Sequence, residues 1–142
     1  MKRVGYTTGV FDMFHIGHLN LLRRAKLECD YLIVGVTTDE LCQKAKNKTP
    51  IIPLIERLKI VQSIKFVDEV VPQTNYDKHQ ALRDLKFNVM FVGDDWKGSD
   101  RWNQLELDFK KMGCDIVYFP YSRDTSSSTL RAMISSKLME AV

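Results

Sequence analysis

The chain has 142 residues, 44% hydrophobic and 27% charged, with a formal net charge of +3, the balance expected of one soluble globular domain over residues 1–142 rather than a disordered or fibrous chain. The small net charge admits an acidic small-molecule ligand without a basic arm for nucleic acid, and no apolar run approaches the roughly 18 residues of a membrane span. Three cysteines (Cys29, Cys42, Cys114) lack paired spacing, and the start Met-Lys-Arg carries no apolar leader, so reduced thiols and a cytoplasmic location are expected.

Residues 4–10 read as a buried strand punctuated by Gly9 and Asp12. Apolar positions 16, 19, 21, 22, 25 and 27, with Arg23, Arg24 and Lys26 opposite, predict an amphipathic helix over 16–27. The apolar run 31–36 fits a parallel strand covered on both faces. Thr37-Thr38-Asp39 is a turn and helix cap before a short helix toward Ala45, and Pro50 and Pro53 punctuate a loop over 46–53. Further on come a helix (54–64), a strand (67–71, with Pro72 at its end), a helix (78–85) and a strand (89–92). A polar loop (94–101), a helix (102–112, with Gly113 as its cap) and a strand (116–119, stopped by Pro120) follow. A hydroxyl-rich loop (121–128) and a closing helix (130–138) complete the chain. This alternation predicts an α/β fold: a Rossmann-like open parallel sheet of about five strands with helices on both faces. Ligands in such sheets bind beyond the carboxyl ends of the strands, and the polar signals of the chain lie there.

The densest signal is His15-Ile16-Gly17-His18, at the start of the first helix and just after the first strand. Two imidazoles three residues apart share a helix face, and a helix N-terminus presents free N–H groups and a positive dipole end. That pairing suits a polyphosphate. Gly9 would let the backbone approach a phosphate, and Gly17 would let the helix start lie close to a nucleotide. Lys44, Lys46 and Lys48 form the densest basic cluster; alone, such a run reads as a solvated loop. Asp12 reads as support for the motif loop or as a simple cap. Asp68-Glu69 reads as structural, and Trp96 and Trp102 as core or interface aromatics. Thr125, Ser126, Ser127 and Ser128 place consecutive hydroxyls before a helix, which suits terminal phosphates or a capping turn.

The run from Gly9 through Val10, Phe11 and Asp12 to His15 and His18 resembles the signature of the HIGH-motif nucleotidyltransferase superfamily. Thr37-Thr38-Asp39-Glu40, Lys44, Lys46, Glu56-Arg57, residues 67–72 and Gly93-Asp94-Asp95-Trp96 follow in the order found in the glycerol-3-phosphate cytidylyltransferases, and the resemblance runs from about Val4 to about Arg131. It implies transfer of CMP from CTP to a small phosphorylated alcohol, glycerol 3-phosphate first, giving CDP-glycerol and pyrophosphate. Another phospho-alcohol (choline, ethanolamine, ribitol or sugar phosphate) or a catalytically silent nucleotide-binding module are the alternatives. The resemblance assigns His15, His18 and Lys46 to catalysis. It assigns Gly9, Val10, Phe11, Asp94 and the hydroxyls of Thr125, Ser126, Ser127 and Ser128 to CTP. The acceptor falls to Lys44, Arg57 and either Lys78 or His79. The arginine that the family carries in its phosphate loop falls on Tyr121, which leaves Arg123 and Arg131 as candidates for that contact. Mg2+ held by the phosphates, with no protein side chain as ligand, and a homodimer are also implied, with no nucleic acid or membrane partner.

Overall fold

The protein is described by a computed structural model covering residues 2–120 and 127–140. Val4–Gly9 forms β1, Ile16–Leu27 α1, Tyr31–Thr37 β2, Asp39–Lys46 α2 and Leu54–Gln62 α3. Glu69–Gln73 forms β3, Lys78–Leu85 α4, Val89–Gly93 β4, Asp100–Lys111 α5, Asp115–Phe119 β5 and Ser127–Glu140 α6. All four ladders are parallel, in the order β3-β2-β1-β4-β5.

Alternation along the strands divides the core between the two sheet faces. On one face Leu32, Val34 and Val36 of β2, with Val89 and Phe91 of β4, pack with Leu22 and Ala25 of α1 and Val61 of α3. On the other, Tyr6, Ile33 and Met90 pack with Leu82 of α4 and Leu105 and Phe109 of α5. The strands therefore read as continuous apolar runs because both of their faces are covered.

Short-range polar contacts set the ends of elements. The Thr38 hydroxyl accepts from Leu41 N (3.1 Å) and starts α2. Ser99 caps α5 by accepting from Trp102 N, so that helix begins at Asp100, earlier than apolar periodicity predicts. Gly113, at φ +78°, follows the Met112 cap in the left-handed conformation. β3 is displaced from its expected position. The Asp68 carboxylate accepts from Leu32 N (2.8 Å) and from Lys26 Nζ (2.5 Å), so the ladder opens only with Glu69 opposite Ile33. It runs through Pro72, which is tolerated because β3 lies at the sheet edge and one of its sides has no ladder partner. Tyr31 Oη donates to Glu69 (2.8 Å), so both acidic residues serve the sheet. Among the described residues no helix is long and apolar enough to cross a membrane.

Candidate active site

β1 lies between β2, which follows it directly, and β4, which returns to its other edge. At the carboxyl ends of such a reversal the connections part and leave a crevice. A cavity of about 500 Å³ opens there, with Thr8 and Gly9 of β1 and Gly93 of β4 in its wall.

His15 and His18 both line it. His15 is the N-cap of α1: its Nδ1 accepts from Gly17 N (3.0 Å), and its own backbone N–H donates to His18 Nδ1 (3.3 Å). The rings stack with centroids 3.9 Å apart. A nitrogen that accepts a backbone N–H carries no proton, so each neutral ring holds its proton on Nε2. Burial lowers the pKa of both. His18 is pushed down to about 4 by desolvation and then by His15, against an opposing pull from Asp12, and both rings are neutral at pH 7. His15 Nε2 is buried without a hydrogen-bond partner among the described residues. The helix start thus offers two neutral N–H donors, one of them unpartnered.

The loop before them is strained in a defined way. Phe11 (φ 53°) and Met13 (φ 49°) both adopt the left-handed conformation, which costs of order 1–3 kcal/mol for a residue held in a sparsely populated region. Asp12, buried between them, holds the loop: its carboxylate accepts from Ile51 N (2.8 Å), Ile52 N (2.9 Å) and Arg131 (2.8 Å). Ser127 Oγ donates to the Asp12 carbonyl (2.5 Å), so α6 is tied to the motif loop at two points. Gly9, in the cavity wall, also has a structural task. A Cβ there would meet the Phe11 ring at 2.9 Å, so the glycine makes room for a neighbouring side chain of its own loop.

The basic residues separate sharply. Lys46 lines the cavity and so does Lys48, which the resemblance did not assign; Lys44 stands exposed on α2 away from it. Lys48 had a visible signal, since it closes the basic cluster at a spacing of two. Arg57, expected to meet the acceptor, is 1% exposed and lines neither cavity described here. Its guanidinium donates to the carbonyls of Val10 (2.7 Å), Thr37 (2.7 Å) and Ile52 (2.8 Å) and to the Asp39 carboxylate (2.5 Å). It therefore locks the ends of β1 and β2 to the start of α2 and to the 50–53 loop, a positioning role. Asp94 is exposed beside the cavity rather than in its wall, where its neighbour Gly93 lies.

A second cavity, about 240 Å³, lies on the α4/α5 face and shares Thr8 with the first. Lys78 lines it, with its ammonium 5.2 Å above the Trp102 ring and its pKa lowered by burial. His79 turns away to Asp108 (3.1 Å) and packs edge-on against Phe109. Of the two adjacent candidates the geometry therefore brings Lys78, not His79, to a cavity. Ser127, Ser128 and Arg131 line the first cavity; Arg123, Thr125 and Ser126 lie outside the described residues. Asn20 and Arg24, which follow Gly17 on one face of α1, also line it, and sequence reading missed both. Among the described residues no group of three or more His, Cys, Asp or Glu is arranged to hold a metal.

A family model described as cytidylyltransferase-like matches residues 6–138, which takes in the motif loop, both lysines and α6. The chain belongs to the cytidylyltransferase-like family. It is 38% identical over 136 residues to a glycerol-3-phosphate cytidylyltransferase of Bacillus subtilis (strain 168), covering 95% of this chain and 98% of that one. It is 31% identical over 117 residues to an FAD synthase of Thermococcus sibiricus, covering 82% and 79% of the two chains. Its fold is similar to the crystal structure of a lipopolysaccharide core biosynthesis protein from Thermoplasma volcanium, with TM-score 0.71 and 26% identity over 88% of this chain and all of that one. These similar proteins carry different names, and the matched residues 6–138 include the paired-histidine crevice.

Proposed function

We propose that this protein transfers CMP from CTP to glycerol 3-phosphate, forming CDP-glycerol and pyrophosphate. The observation that carries the reading is the His15 Nε2, without a partner among the described residues, beside the stacked His18, at a helix start and in a cavity that also holds Lys46 and Lys48. Near-full-length similarity to a glycerol-3-phosphate cytidylyltransferase supports the choice of nucleotide and acceptor.

An oxygen of the acceptor phosphate attacks the α-phosphorus, and the bond to the bridging oxygen of pyrophosphate breaks. A phosphomonoester is already anionic near neutral pH, so no strong general base is required. Catalysis rests on position and on charge stabilisation. His15 and His18 donate Nε2–H to the α–β phosphate region, where negative charge builds on the leaving group. Lys46 and Lys48 supply fixed positive charge, and Ser128 and Arg131 at the start of α6 hold the leaving pyrophosphate, while Ser127 keeps its hydroxyl on the Asp12 carbonyl. Lys78 reaches the acceptor phosphate from the neighbouring cavity. Mg2+ would be held by the nucleotide's own phosphates and would supply charge neutralisation there, since the Asp12 oxygens are already engaged by Ile51, Ile52 and Arg131. The reading also includes a cytoplasmic homodimer.

Pyrophosphate release tests it across a panel: CTP, UTP and ATP, each with glycerol 3-phosphate, phosphocholine, phosphoethanolamine, ribitol 5-phosphate and a sugar phosphate. Release with CTP and glycerol 3-phosphate is the expected result. Release only with a different acceptor moves the substrate assignment, and no release with any pair overturns the enzyme reading.

A further inference from the structure

The crevice has two unlike sides. On the β2 side stand Lys46 and Lys48. On the β4/β5 side stand Gly93, Phe119 and one face of α1, where Gly17, Asn20 and Arg24 recur at helical spacing. The imidazoles lie between them. A nucleotide whose phosphates meet the imidazoles and lysines directs its base toward the β4/β5 side.

Arg24 is placed there with unusual definition for an exposed arginine. Its guanidinium carbon lies 4.6 Å over the Phe119 ring. Phe119 is 7% exposed and is itself stacked on Phe91 at 5.4 Å, so the platform is part of the core. Among the described residues no acidic group pairs with Arg24, so its fork of N–H donors stands at the cavity wall with no carboxylate of theirs on it. Six residues of helix separate it from His18, a rise of about 9 Å, which carries it beyond phosphates gathered at the helix start.

We infer that Arg24 determines nucleotide specificity, its planar fork donating to the adjacent O2 and N3 acceptors of cytosine. This rests on the CTP reading above. Uracil presents an N3–H where cytosine presents an acceptor, so the fork meets donor with donor. Adenine has no two adjacent acceptors: N1 and N7 each lie beside the amino donor, and N3 stands alone. A planar guanidinium matches two adjacent acceptors where an ammonium cannot. A site built to hydrogen-bond a group also rejects analogues that lack it.

The test is calorimetric binding of CTP, UTP and ATP to the full chain and to Arg24→Lys and Arg24→Gln, with thermal midpoints as a folding control. The first variant keeps the charge and loses the fork; the second loses both. The expected result is that both variants lose roughly ten- to hundredfold of the preference for CTP over UTP, with UTP affinity and thermal midpoint near those of the parent. Equal losses for CTP and UTP would assign Arg24 to the phosphates and overturn the inference. So would an unchanged preference, or full preference retained by Arg24→Lys. If the parent chain itself binds CTP no better than UTP and ATP, the CTP reading falls first and takes this inference with it; a CTP-preferring parent with CTP-preferring variants sinks the inference alone.

Discussion

His15 combines two tasks in one imidazole: Nδ1 caps α1 and Nε2 is left for a ligand. The tasks are separable. Asparagine caps helices well but its shorter side chain places no N–H where Nε2 stands, whereas alanine can do neither. His15→Asn is therefore expected to keep the thermal midpoint within about 1 °C and lose 10²–10³ in rate, the typical loss for one transition-state donor. His15→Ala should lose the same rate and about 1 kcal/mol of stability besides. Urea titrations beside turnover rates measure both; equal stability of the two variants would remove the capping role. His18 makes a pH prediction. Its folded pKa of about 4 lies below the ordinary 6.5, so below pH 6.5 the unfolded chain takes up a proton that the folded chain refuses. The stabilisation from holding it neutral is complete above pH 6.5 and drains as pH falls toward 4. Between pH 7 and pH 5 the parent should lose more thermal midpoint than His18→Gln, which cannot titrate. Parallel losses would mean that the ring is free to protonate.

At the scale of elements, Arg57 shows how a basic residue in a family pattern can serve the frame of a site instead of its ligand. It joins β1, β2, α2 and the 50–53 loop through three carbonyls and Asp39. Removing the guanidinium leaves those carbonyls without their donor, at about 1–3 kcal/mol for each buried group left unsatisfied, while the Asp39 carboxylate is one-third exposed and can turn to water. Arg57→Met should unfold at correspondingly lower urea, with its activity lost through misplacement of α2, which carries Lys46. A variant of parental stability with only the acceptor KM raised would restore Arg57 to the substrate. Asp12 makes the parallel joint on the other side, bringing the 50–53 loop and α6 to the motif loop. The element boundaries that sequence reading missed have polar causes, one distant in the chain and one local. Asp68 occupies a ladder position and delays β3, and the Ser99 cap advances α5.

For the whole molecule, an open sheet with a reversal at β1 concentrates the ends of β1, β4 and β5 around one crevice, with a second cavity across Thr8. Two adjoining cavities suit a reaction between two substrates, each held before either reacts. Ile16, Ile51 and Ile55 remain substantially exposed on α1, the 50–53 loop and α3, apolar surface of the kind that a second copy covers. Sedimentation equilibrium should give twice the 16.5 kDa chain mass at micromolar concentration; a mass of one chain at all concentrations would remove the homodimer from the proposal.

Alternating apolar runs, capping residues and the His15–His18 pair were legible in the sequence because each depends on neighbours a few residues away. Periodicity fixes which face of a helix is buried, a continuous apolar run marks a strand covered on both faces, and a cap fixes where a helix starts, without reference to the rest of the chain. The destinations of long charged side chains were not legible. Lys44, Lys46 and Lys48 differ little as residues, and only the packing of α2 and of the loop after it brings the last two to the cavity. Arg57 and Arg24 are both arginines on helices. One is drawn inward by four acceptors that the fold gathers from 5 to 47 residues away, and the other is laid on a ring of β5, 95 residues on in the chain, at the wall of the crevice. Those partners meet only when the sheet closes, so tertiary structure alone decides which cation builds the site and which faces the ligand.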